Sequence, residues 1–346
     1  MRALVVNGPR QARVEDVPEP VPGPGELLVE VERVGICGTD IELYTGEMAY
    51  FAQGATHFPL RLGHEWTGRV LAVGSAEDRG WTGRRVTGDT MLGCGRCRYC
   101  RGGVHHVCPH RFEVGIRDGW PGALAERMLV PTRFAHLVPD NVSVTAAALV
   151  EPGGNSLRAV RAAGLEPRRT VLILGSGTIG LLAAQFALAE GAEVHLAGVW
   201  PGSLRLAREL GVAHTLTMDE VAADNGDRGD GGRFDAVIDC TSDASAPALA
   251  VRLARPAGRV VLVGLSAAPS MIDTREAVLK DVTAVGILSA SPGLAGAIEG
   301  FASGAVVPDA IVCEVVGLDD VPSRLDGERG ADAGPGPKVH VDPRLR

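Results

Sequence analysis

Thr170 to Leu174 is an apolar run of strand length that breaks at once into Gly175-Ser-Gly-Thr-Ile-Gly180, and a helical segment follows to Glu190. Few folds accept so sharp a strand-to-helix turn. Gly175 makes the tight turn, Gly177 lets the backbone approach a pyrophosphate, and Gly180 lets the helix pack close to the strand. Ser176, Thr178 and Ile179 complete the turn at a helix N-terminus whose free N–H groups suit phosphates. The pattern alone also fits an ordinary glycine turn, so its position between strand and helix carries the reading. Five more strand blocks follow, at Glu193 to Ala197, His214 to Thr217, Phe234 to Asp239, Arg259 to Gly264 and Val282 to Leu288. With helical segments such as Ser203 to Leu210 between them, they predict an α/β fold with a doubly wound parallel sheet covered on both faces.

The rest of the chain has a different texture. Residues 1–155 are rich in glycine, proline and short β-type runs such as Glu26 to Val34, and read as the first part of a mostly β domain. Residues 156–289 form the dinucleotide-binding domain. Residues 290–346 return to mixed texture, ending in a short strand at Lys338 to Val341, and are expected to rejoin the first domain. Ala222 to Arg233, crowded with Asp and Gly, reads as a solvated loop. Val171 to Ala189 carries no charge and is about as long as a bilayer is thick. Its interior glycines and Gln185 split it into a buried strand and a buried helix instead.

Charge and composition exclude several classes. With 34 Lys+Arg against 42 Asp+Glu, a formal charge of −8 and 4% aromatic residues, nucleic acid is not an expected partner. The N-terminus has no apolar run long enough for a signal peptide, so the expected location is cytoplasmic, with no membrane partner. The two lysines, Lys280 and Lys338, do not follow a glycine-rich loop, which argues against a Walker-type phosphate site.

Four of the seven cysteines, Cys94, Cys97, Cys100 and Cys108, crowd into one glycine-rich stretch. Their spacing suits a closed tetrahedral Zn²⁺ site, structural because no coordination position stays open. Four thiols also suit an iron–sulfur cluster, the competing metal reading. A second, dispersed set is Cys37, His64, Glu65 and Glu151. One soft ligand, one imidazole and carboxylates are what a catalytic zinc with an open position needs. At the end of the second strand of the parallel sheet, where a carboxylate normally holds the adenosine ribose, Gly198 stands instead. That removes the group that repels a 2′-phosphate, and Arg205 and Arg208 on the next helix are possible partners for one. NADP is therefore favoured, with NAD as the alternative.

Gly35-Ile-Cys-Gly-Thr-Asp40, Gly63-His-Glu65, the four-cysteine lobe followed by Arg101-Gly-Gly103, Leu149-Val-Glu-Pro152 and the turn at Gly175 to Gly180 occur in one order. In that order the chain resembles the zinc-dependent medium-chain alcohol dehydrogenase family over essentially its whole length, and most of all its threonine, sorbitol and sugar dehydrogenase branch. The resemblance implies a Rossmann-type domain and a GroES-like catalytic domain. It makes Cys37 and His64 zinc ligands, and Glu151 the third protein group, directly or through water. Glu65 becomes a neighbouring carboxylate that approaches the metal when water leaves. Thr39 is placed as the hydroxyl that takes the substrate's proton. Glu42 stands where many relatives have a proton-relaying histidine, so it is either the second step of the relay or a surface charge. Threonine dehydrogenases usually carry that histidine, which turns the expectation away from threonine.

The expected activity is NAD(P)-linked interconversion of a secondary alcohol and a ketone on a polyol, sugar, cyclitol or amino alcohol, with one catalytic and one structural zinc per chain. A zinc-free NADPH quinone or enoyl reductase of the same superfamily is one alternative. A non-catalytic nucleotide- and zinc-binding regulator is the other. The strand at Val282 to Leu288 would lie at a sheet edge that needs covering, consistent with a homodimer or homotetramer.

Overall fold

Val171, Leu172, Ile173 and Leu174 are each 0% exposed, so the strand Thr170–Leu174 is covered on both faces. In the computed structural model, which describes residues 1–223 and 232–346, it lies near the middle of a six-stranded sheet. The sheet runs His214–Thr217, Glu193–Gly198, Thr170–Leu174, Phe234–Asp239, Ala254–Leu262 and Thr283–Gly286, and every neighbouring pair is parallel. In chain order this is 3-2-1-4-5-6, the doubly wound Rossmann arrangement. Ligands of such sheets bind where the order reverses, outside the carboxyl ends of the strands. Leu172 and Leu174 share a core with Ala246, Ala250 and Leu253 of the helix Ala246–Leu253. The stretch that matched a bilayer in length is the strand Thr170–Leu174 followed by the helix Thr178–Ala189. Among the described residues no helix is long and apolar enough to cross a membrane. Most of the expected loop Ala222 to Arg233, residues 224–231, lies outside the described residues.

The chain divides into two compact units. One is Met1–Glu151 with Val312–Gly334 and Lys338–Arg346, and the other is Pro152–Ile311 with Pro335–Pro337. The helix Leu294–Ala302 stays with the second unit, where Phe301 stacks on Phe186 at 6.1 Å between ring centroids.

The first unit is built on a seven-stranded sheet whose axis is the ten-residue strand Glu26–Gly35. Leu27, Val29 and Val31, at alternate positions, put one face into a core with Trp66, Leu62 and Leu124. Antiparallel partners are Glu65–Val73, Arg127–Pro131 and Lys338–Val341. The register sets His340 opposite Gly35 and Gly35 opposite Glu65. Three sequence-distant segments thereby meet at one end of one strand.

A Cβ placed on Gly180 would lie 1.8 Å from the Gly175 carbonyl oxygen. Gly180→Ala is expected to cost at least the roughly 1–3 kcal/mol of an overpacked site, read as a lower urea midpoint. An unchanged midpoint would show that the turn relaxes freely.

Candidate active site

The helix Gly38–Thr45 begins beside Cys37, its N-cap residue, and that start sets the geometry of the first cluster. Asp40, at the third position of the helix and 0% exposed, accepts the backbone N–H of Cys37 at 2.9 Å and that of Gly63 at 3.1 Å. One buried carboxylate thus ties the Cys37 turn to the residue preceding His64. Its Oδ1 stands 3.6 Å from His64 Nδ1, too far for a hydrogen bond, so the contact is electrostatic. Burial opposes a charged imidazole, but Asp40 and then Cys37 lift His64 well above its ordinary range. The same negative field favours any cation placed there. Ligand atoms of Cys37, His64 and Glu65 lie within 4.8 Å of one another. A thiol and an imidazole at this spacing, with a carboxylate beside them, fit part of the ligand set of a zinc ion.

Glu65 has a partner that no local motif discloses. Lys338 Nζ donates to Glu65 Oε1 at 2.9 Å and Oε2 at 2.7 Å, and to the Ile36 carbonyl at 2.9 Å. Both side chains are buried. Burial works against the ammonium charge, and the adjacent Glu65 and Cys37 reverse that effect, so the lysine is held above its usual value. Gly35 is needed for this arrangement, because a Cβ there would sit 2.2 Å from Glu65 Oε2.

The other expected site residues occupy different settings. Thr39 is half-buried in the first turn of the same helix. Glu42 is exposed one turn on, and partial desolvation with the nearby Glu47 pushes its carboxyl upward. Glu151 is buried in the first turn of the helix Val150–Ala163 and lies outside the set within 4.8 Å. Asp40 and Lys338 are the residues whose part in the site sequence reasoning missed. Asp40 closes the motif Gly35 to Asp40, and Lys338 offers no signal beyond being one of two lysines.

The four-cysteine lobe closes on itself. Cys97 is the N-cap of the short helix Arg98–Arg101, Cys100 lies in that helix, and Cys108 follows the turn His105–Val107. Sulfur separations are 3.6 Å for Cys97 to Cys100, 3.6 Å for Cys97 to Cys108 and 4.0 Å for Cys94 to Cys100. Four sulfurs around one ion at about 2.3 Å stand about 3.8 Å apart, so the lobe fits a single zinc. A cubane iron–sulfur cluster places each thiolate on a different iron and spreads them wider. Backbone N–H groups of Arg96 and Cys97 draw the Cys94 thiol down to about 6, whereas burial pushes Cys100 up to about 12. The His110 N–H points at Cys108 Sγ from 3.4 Å.

In the second unit Gly175 has φ +101°, which only glycine adopts cheaply, and Gly177 is the N-cap of the helix Thr178–Ala189. A Cβ on Gly177 would meet nothing within 4 Å. Open space before a twelve-residue helix whose first turn carries no acid suits a phosphate. Gly198 has a second reason to be glycine, since a Cβ there would come within 2.1 Å of Ser176 Oγ and 2.5 Å of its Cβ. The missing strand-end carboxylate is therefore also a packing requirement of the turn. Arg205 and Arg208 are both exposed on the helix Pro201–Glu209. Arg208 Nε donates to Thr215 Oγ1 at 2.8 Å, which draws it toward the neighbouring strand.

Removing Lys338 would leave Glu65 charged and buried alone. Lys338→Met is expected to cost about 3–5 kcal/mol in urea unfolding, and Glu65→Gln in the same chain should recover part of it. An effect under about 1 kcal/mol, within the range of an exposed pair, would contradict the buried pairing.

Residues 23–140 match the alcohol dehydrogenase GroES-like domain, and residues 178–302 match the zinc-binding dehydrogenase family. An L-threonine 3-dehydrogenase of Chelativorans sp. (strain BNC1) is 33% identical over 291 residues, 83% of each chain. A sorbitol dehydrogenase of Halalkalibacterium halodurans is 31% identical over 300 residues, 84% of this chain and 85% of its own. A protein of Sinorhizobium meliloti 1021, assigned as a zinc-binding dehydrogenase and crystallised with NADP, superposes with a TM-score of 0.89 at 33% identity, covering 99% of both chains. With two cysteine-containing clusters shaped for zinc and a glycine turn shaped for phosphate, the chain belongs to the zinc-dependent medium-chain alcohol dehydrogenases, among relatives named threonine and sorbitol dehydrogenases, and is an oxidoreductase.

Proposed function

We propose that this enzyme interconverts a secondary alcohol and a ketone on a polyol, sugar, cyclitol or amino alcohol, using NADP or NAD. The observation that carries the reading is the convergence of Cys37, His64 and Glu65 within 4.8 Å, with Thr39 two residues after Cys37 in the first turn of the same helix. When bound, zinc supplies Lewis acidity toward an alcohol and the nicotinamide supplies the hydride acceptor. Cys37 and His64 would hold the metal, and Asp40 keeps both backbones in place. Both Glu65 oxygens face Lys338, so Glu151 is the better candidate for third protein ligand. Thr39 would accept the substrate's proton through its hydroxyl, and Glu42, exposed and with its carboxyl pushed upward, would pass it toward solvent. The threonine and sorbitol names of the relatives support a polar, hydroxyl-bearing substrate.

Cys94, Cys97, Cys100 and Cys108 would hold the structural zinc. All seven cysteines are unpaired, which fits a reducing, cytoplasmic location. The sheet ends in the strand Thr283–Gly286, near exposed Val278 and Leu279, and an open edge beside apolar side chains supports a homodimer or homotetramer.

Zinc analysis with turnover on a polyol and amino-alcohol panel tests the assignment. Cys97→Ser is expected to lose one zinc together with stability and yield, because a structural site contributes folding free energy directly. Cys37→Ser and Glu151→Ala should instead remain folded and lose the other zinc with nearly all turnover. Full zinc and near-normal turnover in Glu151→Ala would transfer the ligand role to Glu65.

For the nucleotide, Arg205 is the favoured partner of a 2′-phosphate, because Arg208 already holds Thr215. Arg205→Ala should raise KM for NADP at least tenfold, the scale of a charge-assisted hydrogen bond of about 1.5–3 kcal/mol, while leaving NAD kinetics unchanged. Equal losses with both cofactors would remove Arg205 from the 2′-phosphate site.

A further inference from the structure

Away from both cysteine clusters, at the amino-terminal end of the parallel sheet, two histidines and a glutamate converge. Glu193 and His214 are the first residues of neighbouring strands, and the register sets His195 directly beside His214. Glu193 and His195, two residues apart on one strand, share a face. The imidazoles stack at 4.3 Å with an 11° interplanar angle. Glu193 Oε1 lies 3.2 Å from His195 Nε2 and 3.6 Å from His214 Nε2, and the three ligand atoms lie within 4.8 Å of one another.

We infer that Glu193, His195 and His214 form a divalent-cation site of the imidazole–carboxylate type, selective for Zn²⁺ and its borderline neighbours over Mg²⁺ or Ca²⁺. Two imidazoles and a carboxylate around one ion at about 2.0–2.1 Å stand about 3.3 Å apart in a tetrahedral set, and the two measured separations straddle that value. The ring of His195 is buried and wedged edge-on against Phe234 at 5.1 Å, so one ligand is already fixed. Because the two ring planes are nearly parallel, His214 must turn out of the stack to aim a nitrogen at an ion held by His195. His214 and Glu193 are half-exposed, which leaves them able to turn and leaves water access to the remaining coordination positions. Burial also keeps His195 below its usual range, and since the Glu193 carboxylate can only accept, the ring proton lies on Nε2 toward it and a bound ion would take that proton's place. Arg233 faces His195 and opposes a cation, and the Glu193 carboxylate offsets it. Gly198 lies three residues beyond His195 at the other end of the strand, about 10 Å away at the rise of a β-strand. The ion would therefore clamp the edge strand His214–Thr217 to its neighbour without entering the nucleotide turn.

The test is calorimetric titration of the purified enzyme with ZnCl₂, comparing wild type with His214→Gln and Glu193→Gln. Both side chains are half-exposed, so the variants are expected to fold, and a circular dichroism melt without added zinc checks it. Because other zinc sites are common to all three proteins, the difference between them reports this site alone. Wild type should bind one equivalent more than His214→Gln, and Glu193→Gln should bind that equivalent at least tenfold more weakly. Added Zn²⁺ should raise the melting temperature of wild type above that of the variants, as binding to the folded state requires. Equal stoichiometry and affinity in the three proteins would make the cluster a hydrogen-bonded contact only and overturn the assignment.

Discussion

The ammonium of Lys338 has three N–H donors and three acceptors: both oxygens of Glu65 and the carbonyl of Ile36. Burying such a pair is costly, and the cost is recovered only when the geometry leaves no donor or acceptor idle. Here that condition is met. The result joins the strand Lys338–Val341 to the strand Glu65–Val73 across the end of Glu26–Gly35, where the thiol of Cys37 also sits. The charge balance at the cluster depends on it as well, because Asp40 and Glu65 bring two carboxylates beside one imidazole, and Lys338 is the cation that faces them.

Close packing around that pair explains why small residues recur where the chemistry is. Gly35 leaves room for the Glu65 carboxylate, as Gly198 does for the Ser176 side chain. In both cases a residue read as part of a functional pattern is also the residue that lets two segments touch. Such positions resist substitution for steric reasons before any question of ligand binding arises.

Much of the architecture was legible in the chain because its signals are local. The strand Thr170–Leu174 lies where its apolar block does, since a strand buried on both faces must be apolar nearly throughout. The cysteine lobe was legible because its ligands lie close together in sequence. The pairing of Glu65 with Lys338 was not, because 273 residues separate them and a lone lysine carries no periodicity. The role of Asp40 was hidden differently, for a motif records that an aspartate is present and not which N–H groups it accepts. The carboxylate at Glu193 and the imidazoles at His195 and His214 read as ordinary strand residues until the register placed them side by side.

Ile36 and Lys338 are 302 residues apart, and during synthesis that separation becomes time. At about 5–20 residues per second, roughly 15–60 s pass between the emergence of the two ends of this contact. Bringing such distant ends together in a structureless chain costs about 5 kcal/mol of loop entropy, a cost that a folded Pro152–Ile311 unit lowers by shortening the path. The nascent first unit can pair Glu26–Gly35 with Glu65–Val73 and Arg127–Pro131 long before Lys338 is made. Until then Glu65 has no counter-charge, and the half-built sheet stays open to water, to chaperones and to the wrong strand at the edge where Cys37 and His64 assemble.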